Sequence, residues 1–416
     1  MTIKSKKYYK WEVLGLLWLA FFLNQADRQV FNVVLPLIQD DLELTDVEMG
    51  MIASAFILTL ALCVPFAGIV GDLFSRKWIT TLTVIFWSIA TVLTGLSMTP
   101  MHLVLFRSVA TGGGEAFFAP ANYALIAQYH KRTRSLALSI HQTSLYAGVV
   151  ISGFLAAYIA EIWGWRSSFY VFGAAGVLLG IIMIFRLKDK REVVQDADIP
   201  ITQKKPDFFK ILALMIKRPT FLLLTLAFAG MVFVNIGYLT WMPTFLYEKF
   251  NMSLPKAGFV SMFCMHGFAF IGVILGGRLS DKFVMRNRNI RLLLQIVGMF
   301  VGAPFIVLMG LGNTTILVYI GLAGFGFFRG LYDANIYASL YDIIEPEYRS
   351  TASGIMIMFA FITGAASPMI LGMLKPTLGL TNAIALLSIL ACFSAACIFI
   401  AMKFYFKKDY YHGLEY

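Results

Sequence analysis

The stretch Phe21-Phe22-Leu23-Asn24-Gln25-Ala26-Asp27-Arg28-Gln29-Val30-Phe31 lies in the middle of an apolar run from Trp11 to Leu37. A helix that crosses a bilayer needs about 20 mainly apolar residues, and this run supplies them. Charged side chains at membrane depth are costly, rarely face lipid and mark ion or substrate paths. Neighbouring residues on a helix point about 100° apart, so Asp27 and Arg28 do not neutralise each other and each requires a partner on another helix. The stretch therefore predicts one wall of a binding cavity in a helical membrane bundle, with Asn24 and Asn32 facing its interior.

The rest of the chain agrees. Its 416 residues are 59% hydrophobic and 14% charged, well below the roughly 25% charged residues of a soluble domain. About twelve spanning segments can be placed, which predicts an all-α membrane protein with little chain left for a soluble domain. The net charge of +11 is not a nucleic-acid footprint, because the basic residues fall in alternate short loops. Lys4, Lys6, Lys7 and Lys10 precede segment one, Arg76 and Lys77 follow segment two, and Lys131, Arg132 and Arg134 follow segment four. Lys188, Lys190 and Arg191 follow segment six, and the acidic loop from Asp40 to Glu48 falls on the other side. The positive-inside rule then puts both termini in the cytoplasm. The first apolar run is long and charged, without a small-residue cleavage site behind it, so it reads as a span and not a cleavable signal. Cys63, Cys264, Cys392 and Cys397 lie in apolar segments, and the five histidines are scattered; no metal or haem motif forms and no cofactor is expected.

A second intramembrane constellation lies in segment four, from about Met101 to Tyr129. It holds Arg107, Gly112-Gly113-Gly114, Glu115, Pro120 and Asn122. Arg107 and Glu115 are eight positions apart, about 80° on a helical wheel, and share a broad face at different depths. Segment five presents His141, Gln142, Ser144 and Tyr146, then Gly148, Ser152 and Gly153, small residues that favour close helix packing. Residues 188–218 break the pattern with mixed charge, Pro200 and Pro206, and Asp207 to Lys217 read as a short interfacial helix. This linker separates six-helix halves at 1–187 and 219–416. Segment seven carries Asn235, Tyr238, Trp241 and Pro243; segment ten carries Arg329, Tyr332, Asp333 and Asn335.

The halves repeat each other. Gly277-Arg278-Leu279-Ser280-Asp281 with Arg286 reproduces the spacing of Gly68, Asp72 and Lys77, and Ala334-Asn335 leading to Arg349-Ser350-Thr351-Ala352 echoes Ala121-Asn122 leading to Arg134-Ser135-Leu136-Ala137. Internal duplication of this kind is typical of secondary transporters.

The paired loops Gly68 to Lys77 and Gly277 to Arg286 resemble the signature loop of the major facilitator superfamily. The match is partial: Leu73 and Ser75 stand where the pattern has an arginine and a glycine. The resemblance implies a twelve-helix fold in two pseudo-symmetric halves, with Gly68, Asp72, Arg76, Lys77, Gly277 and Asp281 in gating latches. Ala26-Asp27-Arg28 with Leu35-Pro36, Glu48-Met49-Gly50 with Ser54-Ala55-Phe56, Gly114-Glu115-Ala116 and Trp241-Met242-Pro243-Thr244 are similar to the branch that imports sugar acids and other organic anions with protons. That resemblance implies proton-carrying roles for Asp27 and Glu115 and anion-holding roles for Arg28 and Arg107. The family pattern has one residue fewer between the arginine and the glutamate. In a regular α-helix the extra residue turns Arg107 by about 100°. Asp-Arg and Gly-x-Gly-Glu-Ala are shared with the spinster-like lipid transporters, which makes a lysophospholipid or other amphiphile the rival cargo.

The residues themselves leave alternatives open. Asp27 and Glu115 read as proton or ligand groups, or as a permanent ion-pair network between helices. Arg28 reads as an anion clamp or as the counter-ion of Glu115, since its fork suits either carboxylate. Arg329 reads as a substrate residue or as the i, i+4 partner of Asp333, and His141 as a proton relay or a satisfied polar residue. Asn24, Gln142, Tyr146, Asn235, Tyr238 and Asn335 are candidate substrate partners or interhelical glue. A polytopic enzyme would show a nucleophile with its base, or a metal cluster, and none is visible; a transporter-like sensor would add a long soluble tail. The expectation is a secondary transporter with its site near the midplane, working by alternating access as a monomer. It would carry a small organic anion, such as a hexuronate, an aldonate or sialic acid, together with protons across a bacterial inner membrane, with no nucleic-acid partner.

Overall fold

The computed structural model describes residues 3–130, 133–188, 215–345 and 348–410. The interfacial helix expected at Asp207 to Lys217 lies almost wholly outside them.

Long apolar stretches fold as helices because a bilayer leaves no other partner for backbone polar groups. The first is α1 (Ile3–Asp41), followed by α2 (Asp46–Leu73) and α3 (Arg76–Gly95). The fourth span is one rod of three parts: α4 (Pro100–Leu103), a π-helical stretch over Val104–Thr111, and α5 (Gly112–Tyr129). Then come α6 (Arg134–Trp163), α7 (Trp165–Arg186), α8 (Pro219–Phe250), α9 (Leu254–Phe283) and α10 (Ile290–Leu311). The tenth span is broken after α11 (Thr315–Asp333) and resumes as α12 (Ile336–Tyr341). The last two spans run as α13 (Arg349–Ile400), turned at Gly379, where φ is 71°.

Among the described residues, nine stretches are long and apolar enough to cross a membrane, and one of them, Thr351–Asp409, contains the turn at Gly379. The two spans that fall short of that measure, α1 and the rod carrying α5, are those with Asp27, Arg28, Arg107 and Glu115 inside them.

The chain forms two compact units. The first comprises Met1–Glu192, Leu239–Met262 and Pro368–Met373; the second comprises Val193–Tyr238, Phe263–Ser367 and Leu374–Tyr416.

Within the first unit α1 packs on α6, α3 on α7, and α2 on α5. Gly148 permits the α1–α6 approach, since a Cβ there would stand 2.7 Å from the Phe22 carbonyl oxygen. Thr45 and Glu48 form a reciprocal capping box that starts α2. Arg166 donates to Asp41 at 2.6 Å and to the Ser97 carbonyl at 3.3 Å, and Trp165 Nε1 donates to Asp41 at 3.3 Å, tying the ends of α1, α3 and α7 together. At the α1–α2 end of this unit the later segments close on the earlier helices. Met369 N donates to Ser54 Oγ at 3.0 Å, Trp241 Nε1 donates to the Pro368 carbonyl at 3.0 Å, and a Cβ on Gly153 would lie 2.9 Å from the Gly258 carbonyl oxygen.

The second unit is held by polar links at helix ends. Arg218 pairs with Glu345 and Arg291 with the buried Asp342, while Gln295 Nε2 donates to the Asn335 carbonyl at 3.0 Å and to Ser339 Oγ at 2.7 Å.

Candidate functional site

The two charged stretches named from sequence meet inside the first unit. Arg28 Nε donates to Glu115 Oε2 at 2.6 Å, joining α1 to α5. Glu115 is fully buried, while the Arg28 side chain keeps 30% of its surface open. Arg28 therefore finds its partner on α5, and its neighbour Asp27 is left with another set. Asp27 is buried, faces Glu115 and Arg107 electrostatically, and has Thr91 and Trp87 of α3 beside it. Its Oδ1 accepts no hydrogen bond. Asn24 lies one turn before, with Gln25 Nε2 donating to its Oδ1 at 3.0 Å and its side-chain amide beside Glu115.

Arg107 sits where the extra residue was expected to turn it aside, and the structure corrects that expectation. The rod does not stay α-helical: Val104–Thr111 is π-helical, and a π turn takes up one residue more than an α turn. The additional position is absorbed there, with Thr111 Oγ1 donating to the Phe106 carbonyl at 2.9 Å and Ser108 Oγ to the Ile52 carbonyl at 2.7 Å. Arg107 therefore points back at the cluster, its Nη2 donating to the Arg28 carbonyl at 3.3 Å. Its Nε and Nη1 have no partner. Instead its guanidinium lies 3.9 Å from the centroid of Phe56 and 5.2 Å from that of Phe31.

The result is a set of two guanidinium and two carboxyl groups, all but Arg28 buried, that is electrically balanced when all four are ionised. Several donors and acceptors in it are unfilled: Arg107 Nε and Nη1, Asp27 Oδ1 and Glu115 Oε1. Buried polar groups without partners are expensive, and the set has capacity for further hydrogen bonds.

Other candidates lie elsewhere. His141 stacks on Phe21 at 4.8 Å, and Asn122 Nδ2 donates to its Nε2 at 2.8 Å, while His141 Nδ1 and Asn122 Oδ1 are buried without a hydrogen-bond partner. Gln142 is exposed and Tyr146 half-buried on α6. In the second unit Tyr238 is fully buried with Arg329 and Cys264 as electrostatic neighbours. Arg329 Nε contacts Asp333 Oδ2 at 3.2 Å along one helix. Asn235 keeps a buried Oδ1 without a donor. Asn335 Nδ2 donates to the Leu331 carbonyl at 3.0 Å, where the tenth span breaks.

Of the residues expected to form latches, Gly68 and Asp72 fall on the last turns of α2, their side chains outside the described ones, and Arg76 opens α3. Lys77 Nζ lies over the Trp78 ring at 4.8 Å. A Cβ on Gly277 would meet nothing within 4 Å, and Asp281 is exposed.

Phe56, Phe31, Thr91, Trp87 and Gln29 were assigned no role from sequence. Apolar residues in apolar helices carry no signal of their own; only the unusual spacing of Arg107 and Glu115 hinted that something must accommodate it.

Comparison with known proteins is consistent with this geometry. Residues 17–368 match the family described as Major Facilitator Superfamily. The chain is 28% identical over 411 residues to a protein of Bacillus subtilis named probable galactarate/D-glucarate transporter, covering 91% of this chain and 88% of that one. It is 24% identical over 379 residues to the hexuronate transporter of the same organism, covering 89% of each. In fold it is similar to the crystal structure of a bacterial homolog of the human lysosomal transporter Spinster in an inward-facing, unoccupied conformation, with a TM-score of 0.86 at 23% identity over 98% of this chain and 99% of that one.

Proposed function

The chain belongs to the Major Facilitator Superfamily, and on that footing we propose that it imports a small organic anion, a sugar acid foremost, together with protons. It is a multi-pass membrane transporter of small molecules and not an enzyme. The observation that carries the finer reading is the 2.6 Å bond between Arg28 and the fully buried Glu115, inside a cluster whose remaining guanidinium has two unfilled donors.

An arriving carboxylate competes with Glu115 for Arg28 and offers acceptors to Arg107 Nε and Nη1. Guanidinium forks suit carboxylates, and such charge-assisted bonds are the strong ones. Once Glu115 loses its cation in a site closed to water, it stays there only as the neutral acid, because an unpaired buried charge is untenable. A proton on Glu115 or Asp27 thus compensates each negative charge the substrate brings into the balanced set. Release reverses the order: the proton leaves, Glu115 recovers Arg28, and the anion is displaced. A monoanion calls for one proton by this reasoning, and a dianion such as galactarate calls for both carboxyl groups.

The acidic loop before α2 faces outward in this reading, and both termini face the cytoplasm of a bacterial inner membrane, as the positive-inside rule requires. The contacts of Ser54 with Met369 and of Gly153 with Gly258 then close the outer end of the first unit.

Uptake into proteoliposomes tests the proposal, with radiolabelled D-glucuronate, galactarate and sialic acid against a lysophospholipid, and Asp27→Asn and Glu115→Gln alongside. An inward proton gradient should concentrate a sugar acid in the wild type, and both variants should lose concentrative uptake while one retains exchange. Movement of the lipid with inert sugar acids would favour the amphiphile reading that the spinster resemblance suggests. Concentrative uptake by both variants would end the proton-coupled reading.

A further inference from the structure

Arg107 is buried at 4% exposure, yet it has no carboxylate hydrogen-bonded to it and two unfilled donor nitrogens. A flexible guanidinium in that position would ordinarily swing to the nearest carboxylate. Two acceptors without partners, Asp27 Oδ1 and Glu115 Oε1, belong to groups that attract it electrostatically. Something holds it away.

We propose that Phe56 is the positioning residue that keeps Arg107 open to an incoming anion. Its ring centroid lies 3.9 Å from the Arg107 Cζ, with Phe31 at 5.2 Å and Arg28 at 5.9 Å from the Phe56 ring. The negative face of an aromatic ring attracts a cation without using up its N–H donors. Arg107 is therefore stabilised while its fork stays available, whereas Arg28 is already committed to Glu115. The ring is itself fixed. Phe56 is 3% exposed, and a Cβ on Gly112 would touch its Cδ2 at 3.1 Å and its carbonyl oxygen at 3.0 Å, so glycine there lets the rod close on it. Ser108 Oγ bonds the Ile52 carbonyl one turn away on the same helix. The π stretch brings Arg107 round to the ring, and the ring keeps it there. Phe56 touches no substrate in this scheme; it acts through Arg107.

The inference depends on the sugar-acid reading only for the identity of the anion, and the test separates the two. Phe56 is replaced by Leu, by Tyr and by mono-, di- and trifluorophenylalanine, which weaken the ring's negative face stepwise while nearly keeping its shape. The Arg107 guanidinium signal is read by NMR of arginine-labelled protein in detergent, assigned by its loss in Arg107→Lys. KM and maximal rate are read for D-glucuronate and galactarate uptake in proteoliposomes.

The ring-current shift of Arg107 should vanish in Phe56→Leu and persist in Phe56→Tyr. KM should rise stepwise with fluorination, reaching on the order of three- to thirty-fold in Phe56→Leu, with the maximal rate changed far less and Phe56→Tyr close to wild type. An Arg107 signal unmoved by Phe56→Leu, or a KM indifferent to fluorination, would overturn the proposal. If the wild type takes up neither sugar acid while the Arg107 signal still follows the Phe56 series, the positioning role stands and the substrate reading falls.

Discussion

Removing the Arg28 side chain leaves Glu115 buried and without its cation, and breaking a buried pair in this way typically costs about 3–5 kcal/mol. Arg28→Ala should therefore lower thermal stability in detergent at neutral pH more than Glu115→Gln does, because the guanidinium left by the second change is partly open. The double variant Arg28→Ala with Glu115→Gln should regain part of the loss, and strict additivity in that cycle would deny that the two side chains are coupled. Asp41 offers a pH-dependent counterpart outside the bundle interior. The hydrogen bond from Arg166, assisted by Trp165, holds its carboxyl below the usual carboxylate range. A group depressed in the folded state contributes stability above its unfolded value of about 3.9, lost as pH falls through the folded one. The stability difference between wild type and Asp41→Asn should thus be present at pH 6, narrow below pH of about 4, and be small throughout because the pair is exposed. A difference that grew on acidification would contradict the assignment. At this scale the sequence made the intramembrane charges conspicuous, since Asp27, Arg28, Arg107 and Glu115 are costly wherever they sit. It could not pair Arg28 with Glu115 rather than with a substrate, and Phe56 is indistinguishable by residue type from any core phenylalanine.

The π stretch is the element on which the site's geometry depends. Val104–Thr111 contains no proline or glycine, so nothing in its composition marks a distortion, and a regular helix was the natural expectation. The spacing of Arg107 and Glu115 was legible; its consequence was not, because a helix can discharge an extra residue in a wider turn instead of rotating. This gives an unusual prediction. Deleting Val109, which lies in the π stretch and is 49% exposed, should convert the rod to continuous α-helix with both flanks in register, and the protein should still fold and transport. Deleting Ile89 of α3, similarly exposed at 46%, should rotate half of an ordinary helix by about 100° and abolish folding. Monodispersity after detergent extraction and uptake rate read both outcomes; equal damage from the two deletions would mean that the π stretch absorbs nothing. The turn at Gly379 has a plain local cause, since a positive φ there wants glycine. The break between α11 and α12 was not legible in the sequence, and Asn335 bonding the Leu331 carbonyl marks it.

For the molecule as a whole, the number of spans followed from hydropathy and the alternation of basic loops, while the membership of the compact units did not. Residues Leu239–Met262 and Pro368–Met373 pack with the first unit, through contacts as specific as Trp241 to Pro368 and Gly153 to Gly258 that no local pattern announces. If these contacts seal the outer end, Gly258→Val should prevent the seal from forming. A cysteine placed at Ser54 would then react with a membrane-impermeant maleimide added outside several-fold faster than in the parent; equal rates would place the closure elsewhere.

Proton movement accompanying the anion can be watched directly. Proteoliposomes loaded with a pH-sensitive dye, with no imposed gradient and an ionophore to clamp the membrane potential, are given external D-glucuronate or galactarate. Internal acidification should follow anion entry in the wild type and disappear in Glu115→Gln, even where that variant still exchanges labelled anion. Anion entry without acidification in the wild type would contradict the account, whatever the fold.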